Sequence, residues 1–433
     1  MTDRYVADVV LPMDEAFSIH APGFVDVEGG RIVRCGPLAA APPGEVREHR
    51  VGGLLMPGLV NTHAHSAMTV LRGAGEGLPL SRWLGEVIWP REGRLEADDV
   101  RAGMVLGSAE MLLGGITTTH EMYFFPEAVA DAAAAAGIGA VVSAAIVDAP
   151  GWERFGTLDE QAAAAVALRD RCAGSGLVEI GFGPHSAYAL PGEFLTEVGD
   201  LAVAEAMPVH IHVAETRTEG DPVTERSGMS VPAYLADLGL FRARTLAAHC
   251  VWLDGADIAL LADHGVGVAH CPGSNGKLAS GIAPVAALRR AGVPVGVATD
   301  GPASNDNLDL FEEATLALLY ARLRDLDASV LGVEDALRMI TVEAAAALGR
   351  DDIGALLPGR RADVIRVSLD HPAYEPVVEP ADVVSHLVWA GSSRDVTDVW
   401  VAGERVVESG VCRSVDLEAA SADVRAIARR IAG

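Results

Sequence analysis

The central part of the chain alternates short β-rich runs with longer segments rich in alanine and leucine. This alternation predicts βα units arranged around a parallel sheet. Eight β-rich runs are present, and eight is the number that closes a (β/α)8 barrel, or TIM barrel, of the α/β class. We predict the strands at residues 54–65, 115–123, 139–148, 178–186, 208–215, 245–253, 265–272 and 294–301, with a helix at 125–136.

Both ends of the chain have a different pattern of short strands and tight turns. Residues 25–28 and 31–35 flank Gly29-Gly30, a typical hairpin signal. The tail repeats this style at residues 362–367, 399–401 and 405–407. We therefore predict a small β-sandwich domain built from both termini, residues 1–56 plus 360–433, around a barrel at 57–359.

Composition narrows the class of partner. Half of the residues are hydrophobic and 21% are charged, which indicates a folded globular protein. The formal net charge of -27 repels nucleic acids and anionic membranes, and favours a small-molecule substrate. No secretory signal or membrane-span pattern is visible, and the five cysteines are scattered, so we predict a cytoplasmic protein with reduced thiols.

The predicted barrel strands end in chemically active side chains. Active sites of this fold gather at the C-terminal ends of the strands. The first strand ends in His63 and His65, which alternation places on one face. The other strand ends carry His185, His212 with Glu215, His249, His270 and Asp300. Because such residues concentrate on one rim, the sequence predicts a metal-dependent hydrolytic site.

Several motifs resemble the amidohydrolase superfamily, and within it the 5-methylthioadenosine/S-adenosylhomocysteine deaminases. The resemblance covers almost the whole length. The most specific motifs are PGLVNTHAH at 57–65, AMTVLRG at 67–73, GPHS at 183–186, HIHVAE at 210–215, AHCV at 248–251 and TDGPASN at 299–305. The resemblance implies a hydrolytic deaminase, an aminohydrolase that acts on a cyclic amidine of an adenosine-like nucleoside, and it implies a homo-oligomer.

Residue by residue, the resemblance implies a metal site and a proton relay. The implied ligands of the metal are His63, His65, His212 and Asp300. Three imidazoles and one carboxylate suit Zn²⁺, our first choice, and also Fe²⁺. The implied catalytic residues are Glu215, His249 and Asp300, with Asp300 taking a proton from water, Glu215 passing one to the substrate ring and His249 stabilising the charged intermediate.

The lysine content limits the number of metals. Many amidohydrolases bridge two metal ions through a carboxylated lysine on a central strand. The one lysine of this chain is Lys277, in the loop after the seventh predicted strand. We therefore expect a mononuclear site, with Lys277 either a loop cation or a substrate contact.

The predicted substrate contacts are Trp83, Arg154, His185 and Glu215. Trp83, with Trp89, either stacks on a flat heteroaromatic ring or packs in the interior. His185 follows Gly-Pro at a strand end and resembles a substrate-contacting histidine of the family.

Three further histidines fit supporting roles. We interpret His210 as a hydrogen-bonded core histidine below His212, with a fifth metal ligand as the alternative. His120 and Glu121 fit a loop-anchoring role. His270 is expected to shape the rim.

The substrate is the least constrained prediction. Family members that handle S-adenosylhomocysteine bind its carboxylate with arginines after the third strand. This chain has Ala144 at the matching place and keeps Arg154 in the next loop. We therefore favour 5-methylthioadenosine, 5′-deoxyadenosine or adenosine. Alternatives are another amino-heterocycle, such as guanine, cytosine, a pterin or a triazine, and a non-catalytic barrel scaffold.

Overall fold

The computed structural model describes residues 1–148 and 152–432, and the N-terminal segment forms short strands as predicted. In the hairpin between β3 and β4, Gly29 and Gly30 have φ values of 57° and 74°, which this type of turn requires. The sheet has the order β4-β3-β1-β5. The strands of the N-terminal segment are β1 (Thr2–Ala7), β2 (Val9–Val10), β3 (Gly23–Glu28), β4 (Arg31–Pro37), β5 (Val46–Arg50) and β6 (Leu54–Pro57). Of these, β2 and β6 belong to a second sheet.

The barrel contains one parallel strand for each predicted one. Neighbouring strands pair in chain order from β7 to β14, and a parallel bridge from Ala64 to Asp300 connects the first to the last. The predicted (β/α)8 fold is therefore confirmed. The strands are β7 (Leu59–Ala64), β8 (Ile116–Tyr123), β9 (Gly139–Ile146), β10 (Val178–Pro184), β11 (Val209–Val213), β12 (Thr245–His249), β13 (Gly267–His270) and β14 (Val295–Val297).

The first predicted strand, at 54–65, is in fact two strands. β6 pairs with the terminal strands, whereas β7 enters the barrel. The chain passes between them at Gly58, where a Cβ atom would lie 2.1 Å from Thr117 Oγ1. The domain limits, 1–56 with 360–433 and 57–359, stay a prediction.

Helices cover the outside of the barrel. The predicted helix at 125–136 is observed as Pro126–Ala136, and it ends at Gly137 in the left-handed region. Besides short 3₁₀ turns and a π-helical turn at Trp83–Ile88, the α-helices here are Leu80–Arg82, Trp89–Glu92, Ala97–Leu113, Pro126–Ala136, Leu158–Cys172, Gly192–Ala204, Asp221–Ser227, Val231–Asp237, Gly255–Asp263, Pro272–Lys277, Val285–Arg290, Leu310–Asp325, Val333–Met339 and Val342–Ala347.

The tail joins the N-terminal segment in one sheet, as predicted. Its strands are β15 (Val364–Val367), β16 (Val396–Val401), β17 (Glu404–Glu408) and β18 (Val411–Cys412). The sheet has the order β18-β17-β16-β15-β6-β2. The tail also contains the helices Pro380–Trp389 and Leu417–Ile431, which the strand-rich expectation missed. The second of them buries Val424 and Ile431.

Arg361 forms a buried ion pair within the tail and connects the tail to the barrel through a hydrogen bond. Its guanidinium donates to both carboxylate oxygens of Asp363, with Nε 2.9 Å from each. Its Nη2 donates to Thr118 Oγ1 of β8 at 2.7 Å. Arg361 and Asp363 are 7% and 3% exposed, so each charge depends on the other.

Two smaller findings bear on the composition arguments. Within the part of the chain that the structure describes, no helix has both the length and the apolar character needed to cross a membrane. All five cysteines are free thiols, and Cys250, Cys271 and Cys412 are buried.

Candidate metal and active site

The ligand atoms of three histidines converge at the C-terminal end of the barrel. His63 and His65, at the end of β7, and His212, in β11, have ligand nitrogens within 4.8 Å of one another. Asp300, just after β14, completes the group, with Oδ1 3.3 Å from His63 Nε2 and 3.4 Å from His65 Nε2. The structure therefore brings together the four side chains that the sequence analysis proposed as ligands.

The hydrogen bonds of these imidazoles fit a bound cation. The carbonyl oxygens of Met122 and His185 accept from Nδ1 of His65 (2.6 Å) and His212 (2.8 Å). Each Nε2 atom therefore carries a lone pair and no proton, although the two Nε2 atoms lie only 3.4 Å apart and their lone pairs repel each other. His63 Nε2 is also buried without a hydrogen-bond partner. Facing lone pairs beside a carboxylate are what a divalent cation such as Zn²⁺ stabilises.

A second layer of histidines supports the first. His63 Nδ1 lies 2.7 Å from Nε2 of the buried His210, which confirms His210 as a hydrogen-bonded core histidine. Burial lowers the pKa of His63 to about 3, so its imidazole is neutral, as a metal ligand must be. His120 Nε2 bonds to Ser143 Oγ at 2.8 Å. His270 is buried, and burial lowers its pKa to about 3.

Glu121 anchors the segment that follows β7, as predicted. Its carboxylate accepts from the backbone N–H of Ser66 at 2.8 Å and from the Ser66 hydroxyl at 2.6 Å. Thr119 Oγ1 donates to the same carboxylate at 2.8 Å. Since Ser66 follows His65 directly, these bonds hold the chain where the histidine pair ends.

Hydrogen bonds also fix the orientation of Asp300. Ser274 Oγ donates to Oδ2 at 2.6 Å, and the Gly301 backbone N–H donates to Oδ1 at 2.7 Å. Burial acts to raise its pKa, but His63 and His65 outweigh burial and hold the pKa of Asp300 well below its usual range. Asp300 is therefore an anion that faces the histidine cluster.

Glu215 and His249 form an interacting pair next to this cluster. Glu215 Oε2 lies 3.7 Å from His249 Nε2, and Ser280 Oγ donates to Oε1 at 3.2 Å. Burial raises the pKa of Glu215. Burial opposes the charge on His249, but Glu215, Asp300 and the Asn275 amide oxygen, 3.0 Å from Nδ1, outweigh it and raise the pKa of His249. A carboxyl group with a raised pKa beside a basic imidazole suits proton transfer.

These groups open into one cavity at the C-terminal end of the barrel. Its walls are largely apolar and aromatic, and among its described lining residues there is no arginine or lysine. Three carboxyl groups face it, so a negatively charged substrate is disfavoured. The lining residues are His65, Met68, Leu80, Trp83, Leu84, Trp89, Glu92, Met122, Tyr123, Phe124, Ala145, His185, Tyr188, His212, Glu215, His249, Leu278 and Asp300.

Three of the predicted substrate contacts line this cavity, namely Trp83, His185 and Glu215. Trp83 is 4% exposed, and its Nε1–H donates to the Ala74 carbonyl at 3.0 Å, which fixes the ring. Burial lowers the pKa of His185 to about 4, so it faces the cavity as a neutral imidazole.

Arg154 and Lys277 are not among the cavity-lining residues. Arg154 Nη2 donates to the Leu95 carbonyl at 2.9 Å, and its guanidinium carbon lies 4.8 Å from the Phe155 ring centre. Lys277 Nζ donates to the Ala303 carbonyl at 3.3 Å and pairs with Asp306, so it acts as a loop cation. The structure does not bring Arg154 to the cavity.

Glu92 is a candidate functional residue that the sequence analysis missed. It is 3% exposed, lines the cavity and accepts a hydrogen bond from Tyr123 Oη at 2.8 Å. Burial raises its pKa to about 7. The sequence did contain a signal for Glu92, because it lies one helical turn after the predicted contact Trp89, within the segment following β7.

Comparisons with known proteins agree with this site. A model of the amidohydrolase family matches residues 54–406. A 5-methylthioadenosine/S-adenosylhomocysteine deaminase from Pelotomaculum thermopropionicum is 40% identical over 426 residues, covering 98% of this chain and 97% of the relative. A 5′-deoxyadenosine deaminase from Methanopyrus kandleri is 41% identical over 358 residues, 82% of each protein.

A solved structure extends the likeness to three dimensions. The crystal structure of an adenosine deaminase from Xanthomonas campestris with bound zinc has a TM-score of 0.94 and 37% identity, covering 99% of this chain and 98% of that one. This chain therefore belongs to the amidohydrolase family, which confirms the resemblance seen in its motifs.

Proposed function

We propose that this protein is a metal-dependent deaminase that replaces the amino group of an adenosine-like nucleoside by a carbonyl and releases ammonia. The observation that carries the proposal is the convergence of His63, His65, His212 and Asp300 beside the Glu215–His249 pair, in a cavity with flat aromatic walls. The names of the three relatives described above, each a deaminase of an adenosine-type nucleoside, support the same reaction.

The ligand set we propose is His63, His65, His212 and Asp300, for one divalent ion, with Zn²⁺ preferred over Fe²⁺. The zinc in the Xanthomonas campestris structure supports this preference. When bound, such an ion lowers the pKa of water from 15.7 to about 7 and makes hydroxide available at neutral pH.

The chain's own residues then move the protons. Asp300 accepts a proton from the attacking water. Glu215, whose pKa is raised by burial, donates a proton to a ring nitrogen of the substrate. His249 donates a hydrogen bond that stabilises the negative charge developing on the attacking oxygen. The proton held by Asp300 passes to the amino group, and the carbon–nitrogen bond breaks to release ammonia. The remaining proton of the attacking oxygen returns to Glu215 as the carbonyl forms.

The lining of the cavity supports a neutral nucleoside as substrate. Trp83 and Trp89 offer flat faces to a purine. The carboxyl group of Glu92 offers an acceptor that suits sugar hydroxyls. Without an arginine or lysine among the described lining residues, the cavity favours 5-methylthioadenosine, 5′-deoxyadenosine or adenosine over a substrate with an anionic tail. The homo-oligomer and the cytoplasmic location stay predictions.

An ammonia-release assay tests the proposal. The zinc-loaded and iron-loaded protein is given adenosine, 5′-deoxyadenosine, 5-methylthioadenosine and S-adenosylhomocysteine, and then guanine, cytosine, pterins and triazines. We expect turnover of the first three and weaker turnover of S-adenosylhomocysteine. Turnover only in the second group would replace the proposed substrate class.

Two variants test the assigned residues. His212→Ala should abolish stoichiometric metal binding while the far-ultraviolet circular dichroism stays unchanged. Glu215→Gln should keep the metal and lose turnover, whereas the exposed Glu193→Gln should behave as wild type. A folded, metal-free and fully active His212→Ala protein would contradict the ligand assignment.

A further inference from the structure

Glu215 lies beyond the part of its strand that the sheet holds in place. β11 ends at Val213, and Ala214 then adopts a φ of 50°, a left-handed conformation that residues other than glycine adopt at a cost. Glu215 follows in an irregular turn. Its direction therefore depends on the contacts that hold this turn.

Hydrogen bonds on both sides hold the turn that contains Ala214 and Glu215. The Ala214 carbonyl accepts hydrogen bonds from two backbone N–H groups of the loop after β12, at 3.0 and 3.1 Å. On the other side, a single oxygen of Glu219, Oε2, accepts from the backbone N–H groups of Glu215 and Thr216, at 2.8 and 3.0 Å. These two N–H groups flank the Cα atom of Glu215, so Glu219 fixes that atom from both sides.

The carboxyl group of Glu219 is kept in an unfavourable environment to make these bonds. Its Oε1 is buried and has no hydrogen-bond partner in the protein. Burial, and then the negative charge of Glu215, raises the pKa of Glu219 to about 7. A surface turn has no need of a buried carboxyl group, whereas a turn that must present a catalytic acid in one direction does.

We propose that Glu219 is a positioning residue that holds the Glu215 carboxyl group against His249 and Ser280. The inference rests on the proposed function, because it concerns the proton transfer assigned to Glu215. Glu215 must keep Oε2 3.7 Å from His249 Nε2 and Oε1 3.2 Å from Ser280 Oγ. Misplacing a reacting group by about 1 Å can lower the rate roughly 100-fold.

Glu219→Ala is the test variant, and the chain offers a close match for its control. Asp382 Oδ2, in the helix Pro380–Trp389, also accepts from the backbone N–H groups four and three residues before it, at 2.8 and 2.9 Å. Asp382→Ala therefore removes the same pattern of bonds away from the site. We expect Glu219→Ala to lower kcat roughly 10- to 100-fold, with little change in KM, while Asp382→Ala keeps the wild-type kcat.

Two conservative variants separate the hydrogen bonds from the charge and guard against a misfolded Ala variant. Glu219→Gln keeps an acceptor oxygen at the same length and should recover most of kcat. Glu219→Asp keeps the charge but withdraws the acceptor, so it should remain impaired. Metal content per chain and the thermal unfolding temperature, measured for each, should match the Asp382→Ala protein.

A double variant tests whether Glu219 acts through Glu215. In a Glu215→Gln background, Glu219→Ala should lower the residual kcat little further, because the group it positions is already gone. A full additional loss there would overturn the inference, as would a Glu219→Ala kcat equal to that of Asp382→Ala, or a Glu219→Gln protein as impaired as Glu219→Ala. If the metal-loaded wild type deaminates no nucleoside, the proposed function fails instead.

Discussion

Replacing Asn275 by alanine should weaken the reaction without emptying the site. Asn275 is 1% exposed, and its Oδ1 is the acceptor, at 3.0 Å, for Nδ1 of His249, which is also 1% exposed. The amide oxygen thus keeps the proton on Nδ1 and directs Nε2 towards Glu215, 3.7 Å away. No water can reach the orphaned N–H group without entering the protein interior.

The magnitude follows from the cost of an unpaired buried donor. Leaving such a group unsatisfied costs about 1–3 kcal/mol, and more when the group is charged. His249 carries most charge when it stabilises the reacting oxygen, so the penalty falls mainly on the transition state. At about 1.4 kcal/mol per tenfold change, kcat/KM should fall roughly 5- to 150-fold.

Ammonia release at saturating and at low substrate, together with metal analysis, measures this effect. Asn275→Asp keeps an acceptor oxygen and should recover part of the activity. Asn307→Ala removes a partly exposed amide that bonds Glu312 at 2.9 Å and serves as the control. An Asn275→Ala enzyme with full metal content and wild-type kcat/KM would refute the reasoning.

Three further outcomes are expected. Burial raises the pKa of Glu92 from 4.5 to about 7, so the stability of the wild type falls as the pH rises from 4.5 to 7. Glu92→Gln stays neutral and can still accept a hydrogen bond from Tyr123. Its free energy of unfolding should exceed that of the wild type by up to about 3 kcal/mol above pH 7, and by little below pH 4.5. Denaturant unfolding at acidic and alkaline pH measures the gain, and an equal difference at both would contradict it. Arg361→Met leaves the buried Asp363 without its charged partner and should lower the free energy of unfolding by about 3–5 kcal/mol, measured in the same way. An unchanged free energy of unfolding would show that the pair contributes nothing to stability. A 5′-phosphate on adenosine should reduce kcat/KM, since one unit charge about 8 Å from a cavity carboxylate costs about 2 kcal/mol at an effective dielectric constant near 20; equal turnover of adenosine and its 5′-phosphate would exclude this field effect.

The barrel and the gathering of histidines and Asp300 on one rim were predictable because both depend on local patterns, whereas the choice of four of these residues as ligands came from the family resemblance. Alternation of apolar residues indicates a strand, and the residue at which alternation stops marks its end. In a parallel barrel all such ends lie on one rim, so His63, His65, His212 and Asp300 had to be neighbours once the strands were counted. The Gly29-Gly30 hairpin was predictable for a similar reason, because few residues tolerate positive φ at both positions.

Predictions that depended on loops were less accurate. Arg154 was expected at the substrate; it bonds to the Leu95 carbonyl and is not among the described residues that line the cavity, so this contact stays a prediction. The first predicted strand ignored the change of sheet at Gly58, because both halves are buried and apolar residues continue on both sides of this glycine. The helix Leu417–Ile431 was missed because the strands predicted before it led us to expect strands throughout the tail, although its own apolar residues recur at a helical spacing.

The sequence by itself thus determined the barrel and the rim on which its histidines and carboxylates lie, since these follow from periodicity along the chain. Its motifs, through their resemblance to a family, indicated the four side chains proposed as metal ligands. Only the tertiary structure decided which other groups surround them. Glu92, Asn275 and Glu219 come from segments without a strand period, and their contacts depend on how loops from different strands meet. Distances between such loops are set by packing, which leaves no regular pattern in the sequence.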